Sequence, residues 1–326
     1  MTFPSFPFSL LIVNRAKNLE RKVWYLIPIF FLGFMTPVQT AANSRLRQAV
    51  ASPIVASLVS FSVGTVFLAV VTLLEKGSLF FDAQLFGNLP WWAWLGGVCG
   101  LYGLTVNIVI FPKIGAVQTA LMPMLGQIGM GVIIDSFGLL NSQVFVLTGT
   151  RILALAIVLA GIVLIVVKKD RSRRGNNMLP WQFMGISGGA VFAMQPSMNS
   201  LLSAGLFSSV HAAFFSFLSA TVILYLIVFT FSSERMHFPK IFSTSKPWWA
   251  WLGGIIGGTF VTGFAFFASK TGIGILLATS ICGMLTNSLI IDRFGFFGTQ
   301  RKDIRAIQYF GLILVMSGII MLKLNE

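Results

Sequence analysis

The chain has 326 residues, of which 56% are hydrophobic and only 10% charged, and its mean hydropathy is +0.86. A soluble domain carries roughly 25% charged residues, so this composition excludes a soluble enzyme. The net charge of +14 does not point to nucleic acid, because the basic residues fall in short loops and in the N-terminal stretch, as in many membrane proteins.

In chain order, residues 1–21 read as an N-terminal extension. Its apolar piece, Phe8 to Val13, is too short to span and has no positive charge before it, unlike a secretory signal. Apolar runs follow at 23–43, 50–74, 90–111, 116–134 and 144–167, within a first repeat of 22–167. A basic linker, 168–179, carries Lys168, Lys169, Arg171, Arg173 and Arg174. Such a cluster sets topology as a solvated loop or meets acidic lipid headgroups. The second repeat, 180–326, holds runs at 180–202, 209–231, 247–268, 273–291 and 304–322. Each run is long enough to cross ~30 Å of hydrocarbon as a helix. The pattern predicts an all-α polytopic membrane protein of ten transmembrane helices, and the runs are too long and continuous for barrel strands.

The octet Pro90-Trp91-Trp92-Ala93-Trp94-Leu95-Gly96-Gly97 returns letter for letter from Pro247 to Gly254. From Pro90 to Gly138, 18 of 49 positions match at this offset of 157, which chance does not give. Five helices per copy is an odd number, so the second copy is expected to be inverted relative to the first. Inverted repeats are a hallmark of secondary transporters.

The first helix of each copy carries a pair of amides four residues apart, hence on one face. These are Gln39 with Asn43, and Gln195 with Asn199. Asn is costly in hydrocarbon without a partner, so both pairs are expected to face the interior. There they line a substrate path or bond to neighbouring helices. Pro37 and Pro196 lie nearby, and each frees backbone carbonyls. Gly96, Gly100, Gly253 and Gly257 have small-xxx-small spacing, which suits close helix packing. The Trp residues before them suit the headgroup level. Asp135 and Asp292 end the fourth helix of each copy and are the remaining candidates for ion coupling, with a helix-end role as the alternative. Cys99 and Cys282 read as reduced packing residues. No metal spacing, phosphate loop or nucleophile elbow is present, so no cofactor, metal or enzymatic activity is expected.

Gln39 and Asn43, then Ser52-Pro53 and Ser60-Phe61-Ser62-Val63-Gly64-Thr65, resemble the first two helices of the YdcZ-like branch of the drug/metabolite transporter superfamily. The Trp-rich octet and the ending Ile133-Ile134-Asp135-Ser136-Phe137-Gly138 are similar too, and the resemblance covers about 22–325. The second copy departs from it at Ser219-Ala220-Thr221. The resemblance implies a fused two-unit form with a central cavity and alternating access. In the superfamily's small multidrug exporters a first-helix glutamate carries the proton. Gln39 and Gln195 stand in that region here, which argues against proton-coupled export of cations. The expectation is a plasma-membrane transporter whose partners are a small polar metabolite or drug-like solute and membrane lipids. Both units in one chain leave a functional monomer open, and a homodimer stays open too. A membrane scaffold or subunit and a lipid flippase are the alternatives.

Overall fold

The computed structural model describes residues 24–82, 84–166, 178–243, 247–298, 301 and 303–324. The N-terminal extension expected at 1–21, and most of the basic linker, lie outside the described residues. Among those described, regular structure is helical throughout and no strand occurs.

The first half holds α1 (Leu26–Val50), α2 (Pro53–Lys76), α3 (Gly96–Phe137) and α4 (Gly149–Val166). The second holds α5 (Leu179–Leu206), α6 (Ser209–Thr230), α7 (Leu252–Thr271), α8 (Ile273–Phe294) and α9 (Ala306–Leu324). Eight segments among the described residues are long and apolar enough to cross a membrane. The 28-residue α5 is not one of them, because it carries Gly185, Gly188, Gly189, Gln195, Ser197 and Asn199, all buried against protein.

Local chemistry sets the helix ends. Ser52 caps α2 by accepting a hydrogen bond from the Val55 amide at 3.2 Å, with Pro53 at the first helical position. Ser208 caps α6 in the same way through the His211 amide, at 3.1 Å. Pro37 lies inside α1 and cannot bond the Gly33 carbonyl. The Thr36 hydroxyl donates to that carbonyl instead, at 2.8 Å. α1 outruns its apolar sequence to Val50, since Ser44, Arg45, Arg47 and Gln48 continue the helix as exposed residues.

The third and fourth runs of the first half form one helical stretch, α3, of 42 residues. A straight helix of that length would extend about 63 Å. α3 turns back on itself: Val106 packs on Gly188 and the Pro123 carbonyl packs on the adjacent Gly189. Seventeen residues along a straight helix would separate those points by roughly 25 Å. An N-terminal arm from Gly96 and a C-terminal arm ending at Phe137 therefore lie side by side along α5. In the second half the same register divides into α7 and α8 at Gly272, whose φ of +77° suits glycine.

The two halves interlock. α1 packs against α7 and α8, and α5 packs against α3. Equivalent residues make equivalent contacts: a Cβ on Gly33 would fall 1.9 Å from the Ser280 carbonyl, and one on Gly189 1.9 Å from the Pro123 carbonyl. α2 and α6 run antiparallel. The Ser52 hydroxyl donates to Glu234 beyond the end of α6, and Ser208 donates to Glu75 near the end of α2, at 2.8 Å. Midway, Thr65 meets Thr221 with hydroxyls 2.9 Å apart. α4 and α9 also pair antiparallel, through Gly161 with Gly311 and Ala154 with Gly318. The largest apolar cluster joins the C-terminal arm of α3 with α4, α8 and α9.

Candidate functional site

A cavity of about 290 Å³ lies between the halves. One wall is the α1 face Thr36, Gln39, Thr40 and Asn43, whose 3- and 4-residue spacing stacks them on one side of the helix. Ser57 and Ser60 of α2 adjoin it, and Gln195 and Phe192 of α5 stand across. Asn107 and Gln127 come from the two arms of α3. Phe61, Phe217, Phe260 and Phe264 supply aromatic surface, and among the described residues no charged side chain lines the space.

The sequence-derived amides are placed unequally. Gln39, Asn43 and Gln195 line the cavity, whereas Asn199 is 1% exposed and lies outside the lining. Gln195 and Asn199 both donate to the Ser216 hydroxyl, at 3.4 and 3.3 Å. Ser60 is the repeat counterpart of Ser216. Among the described residues no hydrogen bond joins Gln39 or Asn43 to it.

The repeated glycines form the floor beneath these amides. A Cβ on Gly96 would lie 2.0 Å from Asn199 Oδ1, and one on Gly253 2.1 Å from Asn43 Oδ1. Gly100 and Gly257 back the Nε2 atoms of Gln195 and Gln39, at 2.9 and 2.6 Å from their Cβ positions. Both asparagine oxygens are buried without a hydrogen-bond partner. Their contact with a glycine Cα is of the weak C–H···O kind. Gly96, Gly100, Gly253 and Gly257 thus pack helices across the halves and also seat the amides.

Asp135 is fully buried and lies away from the cavity lining. Its carboxylate accepts from the Ile273 and Gly274 amides at 2.7 and 2.8 Å and pairs with Arg151 at 3.1 Å. An anion at the first amides of α8 satisfies their unpaired donors and suits the positive end of the helix dipole. The carboxylate therefore clamps α8 of the second half to α3 and α4 of the first. Asp292 is partly buried near the C-terminus of α8 and is also absent from the lining. Trp91 and Trp248 are each 75% exposed, as expected of headgroup-level rings, whereas Trp94 packs against Phe81 and Phe215. Asn107, Gln127, Phe217, Phe260 and Phe264 were not singled out from the sequence, and Ser60 and Phe61 entered only as part of the motif that carries the resemblance. Ser60, Phe61 and Thr65 recur as Ser216, Phe217 and Thr221 at an offset of 156, a signal within reach of repeat comparison. Asn107 and Gln127 carry no such signal.

A family model described as "Putative inner membrane exporter, YdcZ" matches residues 24–164 and again 180–321. The chain belongs to the YdcZ family. Two consecutive matches make it a two-unit YdcZ chain, and with eight apolar spans among the described residues it is a multi-pass transporter protein of the plasma membrane. The family is one of exporters rather than of enzymes. A solved structure described only as "Crystal structure of protein" shares the fold, with a TM-score of 0.62 at 14% identity over 93% of this chain and 98% of its own. No match was found among curated proteins.

Proposed function

We propose that this YdcZ-family chain moves a small polar solute by alternating access between two inverted five-helix halves, ten crossings in all. The uncharged, amide-lined cavity between the halves is the observation that carries the reading. Inversion is supported by the equivalent pairs α2–α6 and α4–α9. Each runs antiparallel, and Thr65 touches its own counterpart Thr221. A two-fold axis through such a contact lies across the helices and so in the membrane plane. Ten crossings are supported by the fold-back within α3.

Alternation follows from the unequal amide ladders. At one end Ser216 ties Gln195 and Asn199 together, and all three side chains are buried. At the other, Gln39, Asn43, Ser57 and Ser60 border open space. Exchange of states would untie the first knot and tie its mirror image. Amides supply both donors and acceptors without fixed charge, which suits a polar solute carrying no net charge. One chain supplies both halves, so a monomer suffices.

The test compares cellular and medium metabolites in cells overproducing the wild type or the Gln39→Ala/Gln195→Ala variant at matched membrane levels. A solute that shifts with the wild type alone supports the site. Equal shifts with both would remove the amides from it.

A further inference from the structure

We infer that the solute is uncharged and carries a flat ring with hydrogen-bonding groups, and that Asn107 and Gln127 select it. This rests on the cavity reading above and narrows its cargo.

The two halves build unlike cavity walls at equivalent positions. Where the first half places Asn107 and Gln127, the second places Phe264 and Met284. Asn107 Oδ1 is buried without a hydrogen-bond partner. Leaving such an acceptor unpaired is unfavourable; Asn107 itself borders the cavity, and a turn of its amide would present the oxygen to a solute N–H or O–H. Gln127, on the other arm of α3, also borders the cavity with no hydrogen bond to the described residues.

Beside the polar wall of α1 and α2, five phenylalanines line the space: Phe61, Phe192, Phe217, Phe260 and Phe264. Phe260 and Phe264 stand with ring centroids 3.9 Å apart, Phe61 and Phe217 4.9 Å apart. Phe192 packs on Gly103, one turn from Asn107. Rings associate with flat π surfaces more strongly than area burial alone provides. A charge fares worse. Stripping water from an ion costs more than a cation gains over a ring, and among the described residues no charged side chain faces the space. Zwitterions meet the same penalty. The volume of about 290 Å³ is at the bottom of the usual range for small-molecule sites, roughly 300–1,000 Å³, so a single ring with its substituents is the scale that fits.

The experiment titrates the purified full chain with four probes of similar size, read by calorimetry. They are benzamide (neutral, planar), cyclohexanecarboxamide (neutral, not planar), benzoate and phenyltrimethylammonium. Benzamide is expected to bind most tightly, with cyclohexanecarboxamide about fivefold weaker and both ions more than about tenfold weaker. Asn107→Leu and Gln127→Met, both near-isosteric, are each expected to weaken benzamide about fivefold. Benzoate or phenyltrimethylammonium binding as well as benzamide would overturn the inference, as would no benzamide binding or wild-type affinity in both variants. The Gln39→Ala/Gln195→Ala variant separates the two levels. Benzamide binding unchanged there defeats the cavity reading itself. Binding lost there, with the ions still equal to benzamide, leaves the cavity standing and removes only this solute class.

Discussion

Gln39 and Gln195 occupy equivalent positions in two copies of one unit, yet their surroundings differ. Around Gln195, the Ser216 hydroxyl gathers both amides and Asn199 is sealed. Around Gln39, the same three residue types, Gln39, Asn43 and Ser60, remain apart and border the cavity. The difference lies in tertiary arrangement, since the motif residues are the same. A repeated motif in an inverted pair therefore specifies what each end is able to form. Which end forms it is a property of the whole molecule at a given moment. A second contrast is built into composition: Asp135 makes a buried clamp onto α8, whereas Asp292 is partly buried, and Arg151 has the neutral Gln308 at its place in the repeat register.

These contrasts can be broken by substitution, and the clamp should give the largest effect. Asp135→Ala leaves Arg151 buried without its partner, so a loss of about 3–5 kcal/mol is expected, against about 1 kcal/mol or less for Asp292→Ala. Cys99 and Cys282 are both buried and free, so a thiol-reactive dye reports thermal unfolding of either variant. Equal losses would mean that the two carboxylates do equivalent work. Next in size, Gly96→Ala drives a methyl into the sealed Asn199 and is expected to cost about 1–3 kcal/mol by overpacking. Gly253→Ala should cost less, because Asn43 borders open space and has room to yield. The same dye assay ranks them, and a larger loss at Gly253 would contradict the open-end assignment. The smallest effect is at the axis. Thr65→Val and Thr221→Val each delete the one shared hydroxyl bond, worth about 0.6 kcal/mol between membrane helices. The double variant is expected to lose no more than either single one. Additive losses would show that the two hydroxyls act separately.

Much of this was legible in the sequence, and the limits have physical causes. The repeat, the membrane class and the inward-facing amides follow from residue identities at fixed offsets, and Gln39, Asn43 and Gln195 do border the cavity. Asn107 and Gln127 escaped because their repeat counterparts are apolar and they lie 20 residues apart. Only the fold-back of α3 brings them to one wall. The Asp135 clamp was invisible because its partners, Arg151 and the Ile273 and Gly274 amides, lie 16 to 139 residues away along the chain. The extent of α1 was underestimated because hydropathy marks the apolar band. Helix continues beyond it through Arg45 and Arg47, whose side chains reach water.

The interlocking of halves also bears on biosynthesis. Gly33 of α1 packs on Ser280 and Gly283 on the Phe30 carbonyl, contacts spanning about 250 residues of chain. At the usual rate of roughly 5–20 residues per second, α1 waits at least ~12 s after its own synthesis before its docking surface exists. Through that interval its polar face, with Gln39 and Asn43, lacks the α7 and α8 surface on which α1 packs. The second half has no such delay, since α5 emerges when its partner α3 is already in the membrane. The order of synthesis thus breaks a symmetry that the finished molecule displays, and the N-terminal helix carries the longest exposure to misassembly.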